Sequence, residues 1–428
     1  MTVSLSVVAV LIGIWGLLNQ PAVVEMRYSR MTLAELEKEI GKGADARLLL
    51  RYGQRLNEAK RFDEAASTLE RAATAAPDRS DIRREWAKAQ MARGDASGAF
   101  QQLRQFVGTH PNLPEAHLLL GRFYLSVKAG KKALAALEKA TELNPLFADA
   151  WESLALVRYE FALDAVRTEE AMRKALELAP KNPDNHLLYA RFLTRESRPQ
   201  ARDAFQKALA LAPDSATIHE AYADFLLQRG QGEEDRQRAE DEARAALREN
   251  PDLHYSKYIL GAALNRRQVF SEAETPLLGA AQALNRDPAV ARELATTYRG
   301  LGRNGDAEHW QGEYLRRQKY QAERQRLIAD ALTVPNNRPA YDRVATFLAR
   351  HGEVEEAIRY RALALGAVPD DAEVLRQVAN DLLQGGHLMT ALPVAQRAGT
   401  RYPQNVGVRE TLRRIEERLN GTATTAKP

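Results

Sequence analysis

Apolar residues recur along the chain with a period of 34 residues that begins near residue 46. In the first period, large apolar residues occupy positions 4, 7, 11 and 24, where the chain has Leu49, Tyr52, Leu56 and Leu69. Steps of three and four residues place such side chains on one face of a helix. The pattern therefore predicts pairs of helices that each bury one face, and it continues to residue 405.

Prolines follow the same period, because a proline ends a helix and disfavours helix in the residue before it. They are Pro77, Pro111, Pro145, Pro180, Pro213, Pro251, Pro369 and Pro403, with Asn285 in the slot after Pro251. The first five steps are 34, 34, 35, 33 and 38 residues long. The longest step contains the acidic run 233–235, which we interpret as a solvated loop between two helices.

Small residues recur at fixed positions of the period. Position 8 is occupied by Gly53, Ala87, Gly121, Ala155, Ala190, Ala223, Gly261, Ala295, Ala345 and Ala379. Position 20 is occupied by Ala65, Ala99, Ala133, Ala201, Ala239, Ala273, Ala307, Ala357 and Ala391, and only the fourth repeat is irregular. Two helices joined by a short turn approach closely only where their crossing points carry no bulk. These positions are therefore predicted to be the contact points within each pair.

A 34-residue period of paired helices resembles the tetratricopeptide-repeat family, and here the resemblance covers residues 46–405. It implies an all-α superhelical solenoid of about ten helix-turn-helix repeats. A long helix ending near residue 333 is expected to divide the array into repeats one to eight and repeats nine and ten. The predicted organisation is an anchor at 1–24, a linker with a short amphipathic helix at 25–45, repeats at 46–333 and 334–405, a capping helix at 406–420 and a flexible tail at 421–428.

The first 24 residues contain no charged side chain. As a helix, residues 3–24 would extend about 33 Å, close to the thickness of a bilayer core. We therefore expect a transmembrane anchor that attaches the protein to a membrane. A cleaved signal peptide and a buried core helix are the alternatives, although the start carries no basic side chain and residues 20–22 form a poor cleavage site.

Basic residues lie only on the C-terminal side of this segment, at Arg27, Arg30, Lys38 and Lys42. The positive-inside rule then favours a single-pass protein of the bacterial inner membrane with its repeats in the cytoplasm. Because the chain has no cysteine, a periplasmic or exported location remains the alternative.

The charge balance and motifs argue against several kinds of chemistry. With 61 Lys and Arg against 57 Asp and Glu, the net charge of +4 is too small to indicate a nucleic-acid partner. The segment 300–305 matches GxGxxG but follows a helix, so it is interpreted as a turn rather than a dinucleotide site. His117, His186 and His219 share position 4, which indicates packing. We expect no enzyme activity, no cofactor and no metal.

The long helix carries a basic stretch from Arg316 to Arg326, which could contact lipid head groups or nucleic acid. We interpret it instead as the exposed side of that helix.

The resemblance implies that partners bind along the first helix of each repeat, on a concave wall formed by positions 2, 5, 9, 12 and 13. The candidate partner-binding residues are Arg84, Lys88, Arg122, Tyr159, Arg191, Arg195, Tyr255, Tyr258, Asn265 and Arg292. Arginines among aromatic residues suit an acidic partner. The alternative is a solvated face, since acidic residues such as Asp149 and Glu152 share the wall.

The carboxylate clamp of chaperone-binding family members is absent, because its slots hold Leu50, Gln54, Glu85, Glu115 and Leu119. We therefore predict a non-catalytic, membrane-anchored scaffold or assembly adaptor. Its expected partners are other proteins, either membrane-complex subunits or acidic segments, and not nucleic acid or a small-molecule substrate. The alternative is a permanent structural subunit of a larger membrane complex, such as a respiratory or envelope-biogenesis complex, on the exported side.

Overall fold

The computed structural model describes residues 20–41, 43–333, 337–366 and 371–424. Within these ranges the chain forms 23 α-helices and no strand. Helices α1 to α13 are Pro21–Arg30, Leu33–Ile40, Ala46–Glu58, Phe62–Ala75, Ser80–Ala92, Ala96–Thr109, Pro114–Ser126, Gly130–Leu143, Ala148–Glu160, Ala165–Leu178, Pro183–Arg195, Ala201–Leu211 and Ala216–Arg229. Helices α14 to α23 are Gly232–Glu249, His254–Arg266, Phe270–Ala283, Pro288–Gly300, Asn304–Thr333, Arg338–Arg350, Val354–Leu365, Ala372–Gln384, Leu388–Arg401 and Val406–Thr424.

The chain divides into two compact units, and the division falls between Phe225 and Leu226, inside α13. Most of the predicted anchor, residues 1–19, lies outside the described residues, as do Lys42 and residues 425–428. Among the helices that the structure does describe, none has the length and apolar character needed to cross a bilayer.

The predicted helix pairs are present. Each first helix begins at position 1 of its repeat, so that position 8 falls in the middle of the helix. Nine of the ten small residues at position 8 are buried. The exception is Ala87, which is half-buried and lines a cavity described below.

Three of these positions show why bulk is excluded. A β-carbon added to Gly53, Gly121 or Gly261 would lie 2.5, 2.6 or 2.3 Å from the Cγ atom of a leucine on the second helix of the same pair. These leucines, Leu69, Leu137 and Leu277, are completely buried. The glycine therefore allows the leucine to contact the backbone of the first helix directly, and this contact sets the spacing of the pair.

The irregular position 20 of the fourth repeat results from a longer turn between its two helices. Its turn, 161–164, has one residue more than the turn of the first repeat, 59–61. The residue at the crossing point is consequently Thr168, which is fully buried and whose hydroxyl donates a hydrogen bond of 2.7 Å to the carbonyl of Asp164. A buried hydroxyl that is satisfied within its own helix can replace alanine here.

The acidic run 233–235 is not a loop, as the sequence suggested, because α14 already begins at Gly232. Asp235 is 9% exposed and accepts a 2.6 Å hydrogen bond from the backbone N–H of Gln231. Acidic residues in a first helical turn are favoured by the helix dipole. The extra residues of the sixth repeat therefore lengthen a helix.

The segment before the first repeat packs against it. Tyr28 and Leu36 belong to the same apolar core as Leu48 and Leu56. Thr32 and Glu35 form the predicted capping box at the start of α2. The carbonyl of Ser29 accepts hydrogen bonds of 2.9 and 3.3 Å from the guanidinium groups of Arg51 and Arg55 on α3. These contacts cover the end of the first repeat.

The long helix appears as α18, which runs for 30 residues. Its basic stretch is only partly exposed, which corrects the sequence-based interpretation. Arg317 donates to the carbonyl of Asp287 at 3.2 Å and lies over the ring of Trp310. Arg324 forms ion pairs of 3.4 Å with Glu353 and 2.5 Å with Glu356. Two of these cations therefore join α18 to neighbouring elements.

The C-terminal helix α23 buries Val408 and Ile415 against the last repeat, with exposures of 1% and 0%. Its charged residues, among them Arg413 and Glu417, lie on the outer side. This is the amphipathic pattern of a terminal cap on a repeat array. The helix continues to Thr424, into the part of the chain for which a flexible tail is predicted.

We predict that Gly261→Leu lowers the thermal midpoint of unfolding by several degrees. The new side chain would occupy the space of Leu277, and overpacking of a core costs about 1–3 kcal/mol. The control is Gly312→Leu in α18, because a β-carbon there would contact nothing within 4 Å. Leucine at that site should leave the midpoint unchanged or raise it, since leucine favours helix over glycine. The midpoints are measured by circular dichroism. Equal shifts of the midpoint in the two variants would contradict the packing argument.

Candidate functional site

A groove runs along the first helices of repeats two to five, all within the first unit. It consists of two adjoining hollows of about 660 Å³ and 500 Å³. Arg122 lines both, so the hollows adjoin at this side chain. The groove thus lies on α5, α7, α9 and α11, where the sequence places the binding face.

The first hollow lies between α5 and α7 and combines an apolar floor with a basic rim. Met91, Leu103, Leu119 and Phe123 supply much of the floor. The rim carries the three predicted cations of this region: Arg84, Lys88 and Arg122. Apolar surface beside polar donors is typical of sites that bind peptides or other ligands.

A buried carboxylate positions two of these cations. The side chain of Glu85 is 9% exposed, and one of its oxygens lies 3.3 Å from Nε of Arg84 and 3.0 Å from Nζ of Lys88. Lys88 nevertheless remains 62% exposed. Three cations stand against two carboxylates, Glu85 and the Asp149 that lies near Arg122, so the rim of the first hollow keeps one net positive charge.

Arg122 is held from the next repeat. Its Nε donates a 2.9 Å hydrogen bond to the hydroxyl of Ser153, and its Nη2 lies 3.6 Å from a carboxylate oxygen of Asp149. The Ser153 hydroxyl donates in turn to the carbonyl of Asp149 at 2.8 Å. This chain of contacts fixes the guanidinium between the two hollows.

The second hollow is more polar and has no excess of positive charge. Its cations, Arg122 and Arg191, face the carboxylates of Glu152 and Asp184. One oxygen of Glu152 accepts hydrogen bonds of 2.8 and 2.9 Å from the side-chain amides of Asn182 and Asn185. Arg191 is exposed and has no ion-pair partner among the residues that the structure describes.

Arg195 and Tyr159, two further predicted residues, contact each other. The guanidinium of Arg195 lies 4.4 Å from the centre of the Tyr159 ring and donates a 2.8 Å hydrogen bond to the carbonyl of Tyr159. The cation–π contact joins two consecutive first helices. Neither residue lines the two hollows.

The remaining predicted residues lie in the second unit. Tyr255 and Tyr258 stack with their ring centres 5.6 Å apart. Burial raises the pKa of Tyr258, and the negative charge of Glu293 raises it further. Arg292 is 54% exposed and lies 3.2 Å from Glu293.

Asn265 is buried and has a structural role in this unit. Its amide donates to the carbonyl and the carboxylate of Glu293 at 2.9 and 3.0 Å, and its oxygen accepts from Thr297 at 2.8 Å. All three contacts are made within the unit, between the first helices of repeats seven and eight.

Sequence reasoning missed the residues at position 6 that orient the predicted cations. Glu85 holds Arg84 and Lys88, Ser153 holds Arg122, and Glu293 contacts Arg292. The sequence does contain a signal for them. Other repeats have an apolar residue at position 6, such as Leu119 or Ile259, so a polar residue at this position is not selected by packing alone.

The three histidines at position 4 are half-buried and make the same contact in each repeat. Nε2 of His117, His186 and His219 lies 2.8, 2.9 and 2.7 Å from a proline carbonyl six residues earlier. The indole N–H of Trp151, at the same position, donates to Pro145 at 2.9 Å. The shared role is to provide a hydrogen-bond partner for the proline carbonyl in the turn between two repeats.

The segment 300–305 is the turn predicted from its context. Helix α17 ends at Gly300 and α18 begins at Asn304. Gly302 has a φ of +73°, the left-handed conformation that glycine adopts readily.

Two family models, both described as tetratricopeptide repeat, match residues 90–157 and 190–243. The matched segments contain much of the groove and coincide with the helix pairs described above. These two segments of the chain are tetratricopeptide repeats.

Solved tetratricopeptide-repeat structures resemble parts of the chain. A thermophilic repeat protein of Thermus thermophilus, TTC0263, is 23% identical over 42% of this chain and 99% of its own, with a TM-score of 0.37. A repeat protein of Parabacteroides merdae ATCC 43184 is 16% identical over 59% and 98%, with a TM-score of 0.44. Human IFIT1, in a dimer with m7Gppp-AAAA, is 15% identical over 78% and 84%, with a TM-score of 0.46. These likenesses carry no argument about function. No curated protein matches the chain.

Proposed function

We propose that this tetratricopeptide-repeat protein is a non-catalytic scaffold that binds protein partners along the groove of α5, α7, α9 and α11. The observation that carries this proposal is that the two hollows adjoin at Arg122 and together extend over repeats two to five. A groove of this length suits an extended segment of a partner better than a compact small molecule.

The charge distribution supports a partner that is acidic where it meets repeats two and three. The three cations on the rim of the first hollow outnumber the carboxylates of Glu85 and Asp149 that pair with them, whereas the second hollow balances its charges. Complementary charge contributes to the rate and the specificity of association more than to affinity itself. The acidic partner that the sequence predicts is therefore expected to bind mainly at the first hollow.

We also propose that residues 3–24 attach the scaffold to the bacterial inner membrane, with the repeats in the cytoplasm. This part of the proposal rests on the sequence alone: no charge occurs before Glu25, and basic residues follow the apolar segment. Attachment would raise the local concentration of the scaffold beside membrane-bound partners, so that modest affinities suffice.

Arg191→Glu should weaken partner binding roughly tenfold, which corresponds to about 1.4 kcal/mol. Arg191 is exposed and has no ion-pair partner among the described residues, so reversing its charge changes the groove without breaking an internal ion pair. The measurement is the amount of each partner recovered after crosslinking in intact cells, quantified by mass spectrometry.

The matched control is Arg71→Glu on α4, a second helix, where the arginine is likewise exposed and lines neither hollow. Partner recovery should be unchanged in this variant. If both variants retain every partner, the groove is not the binding surface. If the partner remains at a fixed ratio through detergent extraction and dilution, the protein is a permanent subunit rather than an adaptor.

For the membrane proposal, alkaline phosphatase fused after residue 424 should be inactive in cells, because this enzyme is active only when exported. The full-length protein should also sediment with membranes, and deletion of residues 3–24 should release it. An active fusion would place the repeats on the exported side. Full-length protein that does not sediment with membranes would contradict attachment itself.

A further inference from the structure

We propose that the first hollow binds a partner segment in which one large apolar side chain is flanked on both sides by Asp or Glu. This inference rests on the scaffold function proposed above and specifies which chemistry the groove recognises. The hollow is formed by Arg84, Lys88, Met91, Leu119, Arg122 and Phe123, together with smaller residues around them.

The floor of the hollow requires an apolar occupant. Leu103, Leu119 and Phe123 are 1%, 8% and 9% exposed, so they form a firm surface rather than a mobile patch. Ala87 at position 8 and Ala92 at the end of α5 leave space above that surface, because both side chains are small and both line the hollow. A volume of about 660 Å³ lies within the range of roughly 300–1,000 Å³ found for ligand sites. One large side chain with its neighbouring backbone fits this space.

The cations come from both of the first helices that border this floor. Arg84 and Lys88 project from α5, and Arg122 projects from α7. An occupant that places its apolar side chain between the two helices therefore meets positive charge on each side of it. This arrangement predicts the order acidic, apolar, acidic within one segment, and it requires no free chain terminus.

The cations are also held in place before a partner arrives. Glu85 fixes Arg84 and Lys88 from beneath, and Ser153 fixes Arg122 at 2.9 Å. Long cationic side chains that are already ordered lose less conformational entropy when they bind a carboxylate. Lys88 remains 62% exposed despite its ion pair, so its ammonium group can reach a second carboxylate.

The second hollow provides the contrast within the same groove. It also has apolar residues, among them Leu156 and Leu187, but Glu152 and Asp184 line it as well. Carboxylates on a partner would be repelled there by like charge. Recognition of an acidic segment is therefore assigned to the first hollow, and the second hollow is left for uncharged polar parts of the partner, to which Arg191 can donate hydrogen bonds.

The test uses a defined probe, the fluorescein-labelled peptide Gly-Asp-Glu-Leu-Glu-Asp-Gly with a blocked C-terminus, and the full-length protein. Fluorescence anisotropy should show saturable binding that weakens at high salt. The peptide with Ala in place of the central Leu should bind at least tenfold more weakly. The peptide with Lys in place of each acidic residue should not bind.

Two substitutions in the protein locate the probe. Ala92→Trp fills the hollow, and it should weaken binding at least tenfold; its matched control is Ala75→Trp, at the exposed end of α4, which should have no effect. Lys88→Glu should weaken binding to a similar degree, whereas Lys139→Glu, a 48% exposed lysine on α8, should not. Circular dichroism confirms that each variant keeps its helices.

Equal binding of the acidic and the lysine peptides, or binding that survives both Ala92→Trp and Lys88→Glu, would overturn the inference. So would failure of the acidic peptide to bind the unchanged protein. The scaffold proposal is judged separately by the Arg191 variant, whose effect on crosslinked partners does not depend on this probe. If Arg191→Glu reduces the recovery of partners but the peptide probe gives one of the contrary results above, the scaffold proposal stands and the inference is wrong.

Discussion

The absence of side-chain bulk where paired helices cross is the constraint on which the rest of the structure depends. At Gly53, Gly121 and Gly261 even one added carbon would come within 2.6 Å of a buried leucine. Close packing of this kind fixes the distance and the rotation of the second helix relative to the first. Once every pair has the same geometry, consecutive pairs can stack in the same way. The groove exists because the first helices of repeats two to five are brought side by side.

The positions of the candidate binding residues depend on that stacking. Arg122 lies on α7, but its partner Ser153 lies on α9, and Arg195 on α11 rests on Tyr159 of α9. Such contacts between consecutive repeats decide whether a cation points into the groove or along it. They also divide the groove into a basic, apolar hollow and a neutral, polar one, although the sequence shows a single row of charges.

The fold could be predicted from the sequence because its cause is local and repeated. The 34-residue period, the small residues at position 8 and the prolines each report on one helix pair. Three features were beyond such reasoning. Thr168 replaces alanine only because a turn gained one residue. Asp235 lies in a helix that is lengthened at its N-terminal end and begins at Gly232. Arg317 and Arg324 are held by residues distant in the sequence. In the groove, the candidates at positions 5 and 9 were identified, but the position 6 residues that orient them became visible only with the contacts.

The most direct test of the central claim is a cryo-microscopy structure of the protein crosslinked to the partner that it binds in cells. The account predicts density for an extended partner segment along α5, α7, α9 and α11, beside Arg122. Density that lies on the second helices α6, α8 and α10, with both hollows empty, would contradict it.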